Sequence, residues 1–304
     1  GIETAITVNH VLTRSVRDSA AVLDATCGPQ PGELFRLPRP DVPYGELVSR
    51  DPPRLRIAFT GADLRGRQAH PDCTAAVSAM ASRLQDLGHQ VEEAAPEVDG
   101  EAFANAFRLE WAKGAGALLL QVQKQMLRGG QLPRGLRWLA RPRLGFKAIL
   151  RAERQNGMPL LEPFTLALAE IDYQHTPGDL LIAERTMQAA EAALALFLAD
   201  YDLLLSPVLG GPPMAVGEFD QRWPVAKMVQ VLSDYVGFTP IANTGGFPAM
   251  SVPSTWNARG LPVGVQFIAP LAREDRLLQL AAQIERAFPW DNRRTSLAVG
   301  ATTP

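Results

Sequence analysis

Lysine, cysteine and histidine are scarce in this sequence. Its 304 residues hold 2 cysteines and 4 histidines, and lysine occurs only at positions 113, 124, 147 and 227. So few cysteines exclude a disulfide framework and any Cys-x-x-Cys metal knuckle. Cys27, on an apolar helix face, and Cys73, near the start of another helix, read as free thiols in a reducing, cytoplasmic compartment; a single long-range disulfide is the weaker alternative. His10, His70, His89 and His175 stand far apart, with no His-Glu-x-x-His and no carboxylate at ligand spacing, which argues against a metal. No apolar run reaches the ~18 residues a membrane span needs. No Gly-x-Ser-x-Gly occurs, and no serine stands three residues before a lysine, so no residue qualifies as catalytic. "GAGALLL" (114–120) lacks the third glycine of a dinucleotide fingerprint and follows no strand, and "GGPP" (210–213) precedes no lysine-bearing helix. A formal charge of −2 gives no reason to expect nucleic acid as a partner. The opening "GIETAITVNH" has neither an initiator Met nor a leader pattern, and reads as a chain entered in mid-sequence.

What is present is the pattern of a large α/β core. Hydrophobic residues make up 46% and charged residues 20%, which is ordinary for a globular enzyme and excludes a disordered chain. Residues 15–27 form a first helix, with Ser15 as N-cap, an apolar stripe through Val16, Ala20, Leu23 and Cys27, and Gly28-Pro29 as the stop. Arg14 and Asp18 stand at i,i+4, the spacing of a helical ion pair. Residues 29–53, rich in Pro, Gly and Arg, read as a long surface connection. "LRIAF" (55–59) is a buried strand. The helix that begins at Pro71 carries Val77, Met80, Leu84 and Leu87, and Gly88 caps it before "HQVEEA" turns into a strand. Strand, helix, glycine and strand make a βαβ unit, which implies a parallel sheet.

Residues 101–200 are mostly helical around an irregular middle and end in a helix from about Pro177 to Ala199. "YDLLLSPVLGGPP" follows as a buried strand with a Ser-Pro turn; "FPAMSVPS", "LPVGVQFIAP" and the helix "REDRLLQLAAQIERAF" complete the alternation. The tail "TSLAVGATTP" reads as loose. From Lys124 to Arg154 basic side chains dominate, with Trp138, Leu139, Leu144 and Phe146 interleaved. That stretch is either a surface for anionic lipid or an acidic partner, or a solvated helical face in an arginine-rich chain.

One loop has the character of a ligand wall. In "NTGGFPAM", Gly245 and Gly246 permit positive φ and close backbone approach, and Pro248 fixes the exit. Asn243, Gly245, Gly246 and Phe238 are the candidate substrate-binding residues. Their structural alternatives are a packing turn for the glycines, an Asx-turn for Asn243, and core filling for Phe238 and Tyr235.

Three stretches, in this order, resemble the amidase signature family: "VLTRSVRDSAAVLDATCGP" (11–29), "YDLLLSPVLGGPP" (201–213) and "FTPIANTGGFPAMSVPSTWNARGLPVGVQFIAP" (238–270), the last followed by a helix and "FPWDNRR" (288–294). The first matches the family's Arg-Ser-Val-x-Asp helix, and the third its Gly-x-Pro-Ala and Gly-Leu-Pro-Val-Gly-x-Gln segments. The resemblance implies a three-layer α/β/α fold with a central mixed sheet. Residues 1–100 would form the first part of that core, 101–200 a variable helical region on the substrate side, and 201–304 its last part. It also implies a hydrolase of linear or cyclic amides, with no cofactor, working through a Lys, a cis-peptide Ser and a nucleophilic Ser. All three lie upstream of the Arg-Ser-Val-x-Asp helix, and no residue here matches them. The chain is therefore expected to be the C-terminal portion of an amidase, silent by itself, with the missing N-terminal half as its first partner, a small amide as ligand and a homodimer left open. Two other readings stand: the A-type component of a glutamyl-tRNA amidotransferase, and a non-catalytic remnant that serves interaction.

Overall fold

In a computed structural model the described residues are 6, 8, 10–29, 37–38, 40–128, 161–220 and 222–290, with the backbone alone over 122–128. The basic stretch beyond residue 128, as far as Arg154, and the tail at 295–304 lie outside them.

The first helix, α1 (Val16–Thr26), starts as its sequence dictates. Ser15 is extended, and its Oγ accepts the Asp18 N–H at 3.2 Å. Val16 and Ala20 are buried, and Gly28 leaves at φ +128°. Asp18 pairs with Arg17, at 3.7 Å, in place of the expected Arg14. The connection at 29–53 is not all surface. Within it Tyr44–Leu47 forms a short helix, α2, because Asp24 of α1 accepts the N–H groups of Tyr44 and Gly45, both at 2.8 Å. Tyr44 is thereby buried against the core, and that burial, helped by Glu274 nearby, pushes its phenol up to about 12.

The βαβ unit forms as expected from β1 (Arg56–Phe59), α3 (Pro71–Asp86) and β2 (Gln90–Glu93), with Ile57 opposite Val91 in parallel register. His70 caps α3 through Nδ1, which accepts the Asp72 N–H at 3.1 Å, and Gly88 takes φ +92° at its far end. The helical middle follows as α4 (Gly100–Arg128), α5 (Pro163–Gln174) and α6 (Pro177–Asp200), the last opened by a Thr176–Asp179 capping box. The chain then returns to the sheet as β3 (Leu203–Pro207), α7 (Val225–Tyr235), α8 (Pro240–Gly245), β4 (Ala249–Trp256), β5 (Pro262–Ile268) and α9 (Glu274–Ala287).

The sheet order is β2-β1-β3-β5-β4, with β2, β1 and β3 parallel and β5 and β4 antiparallel to their neighbours. Alternation along each strand divides the core in two. Ile57, Leu203, Leu205, Val265 and Phe267 face α1, α3 and α9. Ala58, Leu204 and Ile268 face α4, α6 and α8. The result is the mixed-sheet, three-layer α/β/α architecture. Among the described residues β4 has a neighbour on one side only, and that free edge positions the site.

Candidate functional site

A groove of about 1700 Å³ runs along the whole of β4. Its other walls are the start of α1 from Thr13 to Val16, the loop after β3 from Val208 to Pro213, the end of α8 with Phe247 and Pro248, and the α9 side from Glu274 to Trp290. Val208, Phe247 and Met250 give the wall apolar surface. Serine and threonine hydroxyls interrupt it at Thr13, Ser15, Ser19, Ser251 and Thr255. Arg83 is held at one end, where Nη1 donates to Ser254 O at 2.9 Å and the guanidinium lies over the Phe288 ring.

The four residues marked by sequence divide between the groove wall and the layers behind it. Asn243 and Gly246 line the groove at one corner. Asn243 also ties the corner to the chain before α1, donating through Nδ2 to Ile6 O at 3.0 Å. Gly246 is the left-handed cap of α8 at φ +65°. Gly245 has no positive φ; it is the last helical residue, and a Cβ there would fall 2.6 Å from Phe247 Cδ2, so any larger residue displaces that ring. Phe238 sits in the core behind the wall.

No described serine is set up as a nucleophile by a lysine. Lys113 is taken up by Glu110, with Nζ donating to both carboxylate oxygens at 3.1 and 3.0 Å. Lys227 lies 3.8 Å above the Trp223 ring. Two of the histidines serve structure: His70 caps α3, and buried His89 accepts the Leu55 N–H on Nδ1 while Nε2 meets Gln283; exposed His10 lines the groove. Among the described residues no cluster of His, Cys, Asp and Glu could hold a metal ion, and no helix is long and apolar enough to cross a membrane.

The corner rests on groups the sequence pattern did not mark. Glu191 of α6 lies beneath it, facing the Thr244 hydroxyl, with Cγ 3.1 Å from where a Gly245 Cβ would stand. Burial raises its carboxyl above the ordinary glutamate value, and the Thr244 hydroxyl offsets part of that rise. The folded state then holds this proton more tightly than the unfolded chain does. Stability is highest below the unfolded value of about 4.3 and falls as pH rises through the folded one. Glu191→Gln keeps a hydrogen-bonding group and removes the half-buried charge. It should raise the urea midpoint at pH 7 while leaving it unchanged at pH 4; equal shifts at both would show that burial of the charge is not responsible. The other group is Gln266, which ends the Gly-Leu-Pro-Val-Gly-x-Gln motif but was not singled out for the site, and which is the polar residue in an otherwise apolar strand. A buried polar side chain among fully buried neighbours is a signal in itself.

The sequence model of the Amidase family matches residues 1–278. The 6-aminohexanoate-cyclic-dimer hydrolase of Paenarthrobacter ureafaciens is 29% identical over 301 residues, covering 94% of this chain and 55% of that protein. A solved structure of 6-aminohexanoate cyclic dimer hydrolase matches with a TM-score of 0.70 and 26% identity, over 93% of this chain and 55% of that one. The peptide amidase of Stenotrophomonas maltophilia shares the fold at a TM-score of 0.56 and 22% identity, over 90% and 52% of the two chains. The chain thus spans about half the length of the curated relatives it matches.

Proposed function

The chain belongs to the amidase family, and from that premise we propose that it forms one wall of the cleft in a hydrolase that breaks a carboxamide C–N bond, linear or cyclic. The observation that carries this reading is the groove along the free edge of β4, which has a substrate-sized apolar wall and hydroxyls but no activated nucleophile among the described residues. Amide hydrolysis needs a nucleophile with a base beside it and donors at the developing oxyanion. We assign the Ser–Ser–Lys groups to a segment outside these residues, one that pairs with β4 and closes the groove. In that arrangement the serine Oγ attacks the carbonyl carbon and gives up its proton through the lysine-linked relay. The C–N bond breaks as the amine takes a proton, and water then releases the acid. This chain's part is to bind and orient: Val208, Phe247 and Met250 exclude water, and Asn243 and Gly246 define the corner.

The similarity to cyclic-dimer hydrolases supports a cyclic or ω-amino amide as the first substrate to try. The test expresses the chain alone and joined to the upstream half of a relative, against a panel of linear and cyclic carboxamides that includes the 6-aminohexanoate cyclic dimer. Hydrolysis is expected from the joined protein only. A joined protein that folds and cleaves nothing removes the function. Turnover by the chain alone, lost on changing one of its own serines, removes the assignment of the nucleophile.

A further inference from the structure

Across β3, β5 and β4, Ser206, Gln266 and Ser251 stand in one register row. Gln266 is 5% exposed and Ser206 3%, so a primary amide has been placed inside the sheet layer. Such a group is costly there unless its hydrogen bonds are made. Gln266 Nε2 donates to Phe238 O at 3.2 Å and reaches Ser206 Oγ at 3.5 Å, while the Ser206 hydroxyl donates to Pro207 O at 3.0 Å. The Phe238 carbonyl is left free for this role because the hydrogen bonds of α8 begin one residue later, with the Ala242 N–H donating to Thr239 O.

The position of that carbonyl gives the bond its consequence. Upstream, Arg65 Nη2 holds Ser233 O at 3.0 Å and the Gly210 N–H holds Tyr235 O at 2.7 Å. Downstream, the Ala269 N–H holds Pro248 O at 2.9 Å. Between them, over 236–247, Gln266 is the polar tie from the sheet among the described residues. The other outside partners, Ile6 and Glu191, belong to the chain before α1 and to α6. On the opposite side of Gln266, Ser251 opens into the groove.

We propose that Gln266 is a positioning residue: its amide fixes α8 against the sheet and so sets where Asn243 and Gly246 stand in the groove wall. The inference rests on the amide-hydrolase reading for its catalytic meaning, but not for its structural one. Gln266→Met is the informative variant, since it keeps volume and loses the donor. Ser206→Ala is the control, since it leaves the bond to Phe238 in place.

Hydrogen exchange on the whole chain should show amides of 239–247 exchanging at least tenfold faster in Gln266→Met, with those of β5 and α9 unchanged and Ser206→Ala like the parent. In the joined, hydrolysing protein, assayed at a temperature where every variant is fully folded, Gln266→Met should lower kcat/KM at least tenfold, and Ser206→Ala less than threefold. Unchanged exchange at 239–247, or acceleration spread equally through β3 and β5, overturns the proposal, as does faster exchange with kcat/KM unaltered. If the parent joined protein hydrolyses nothing, the function fails and the exchange result still decides the role of Gln266.

Discussion

Gly100→Ala should cost about 3 kcal/mol or more, the upper range for overpacking a rigid site, and lower the melting temperature by about 5 °C or more. Gly100 is the first residue of α4 and is buried. A Cβ there would fall 2.6 Å from Arg65 N and closer still to the Leu64 carbonyl. These are backbone atoms of the loop between β1 and α3, so relief requires moving the loop or the helix, not turning a side chain. Gly178→Ala, at the second position of α6, is the matched control. Its nearest atom would be Thr176 Oγ1 at 3.5 Å, an ordinary contact, so the change should be neutral or stabilising by up to about 1 kcal/mol. Thermal melts of the two variants side by side measure the difference. Equal small effects would mean that α4 does not rest on Leu64 as described.

Asp63→Ala should be comparably damaging, by about 3 kcal/mol, for an electrostatic reason. The Asp63 side chain is 5% exposed and that of Arg65 8%. Asp63 Oδ1 accepts the backbone N–H groups of Arg65 and Arg67 at 2.9 and 3.0 Å. Its Oδ2 accepts both guanidinium groups, Arg65 Nη2 at 3.0 Å and Arg67 Nη2 at 3.1 Å among them. Removing the carboxylate leaves a buried guanidinium with only Asp234, 3.3 Å from its Nη1 and 44% exposed, to balance it. Asp234→Ala should therefore cost under about 1 kcal/mol, as a partly solvated pair does. Pairing Asp63→Ala with Arg65→Met should recover part of the loss, because the uncompensated charge then goes too. Denaturant midpoints of the single and double variants give the coupling; an additive double variant would show that the cluster is not acting as a unit.

Both predictions concern one short loop, and that loop shows where sequence reading stops. The elements with strong local patterns were legible: the Ser15 cap and Val16–Ala20 stripe of α1, the βαβ unit with its Pro71 start and Gly88 stop, the apolar runs of β3 and β5 and the helix α9. Nothing local marks α2, whose four residues have no periodicity and are held by Asp24 some twenty residues upstream. The stretch 214–237 likewise gave no element, although α7 forms there, where Val229 joins the cluster beneath α4 and α5. The candidate wall was legible as a short segment and mixed in detail. The two glycines of "NTGGFPAM" serve different needs, positive φ at 246 and the Phe247 ring at 245, and Phe238 fills the core.

By itself, the sequence determined the strongly patterned strands and helices, their order and the family, because period, caps and motif order are imprinted over a few residues at a time. Only the tertiary structure decided that, among the described residues, β4 has a free edge above a groove, that Arg65 reaches Ser233 across 168 positions, and that Gln266 takes the carbonyl of Phe238 across 28. Such bonds are fixed by where the packed layers bring polar groups within about 3 Å of each other. That proximity follows from the chain's path through space, and it leaves no period in the sequence from which it could be read.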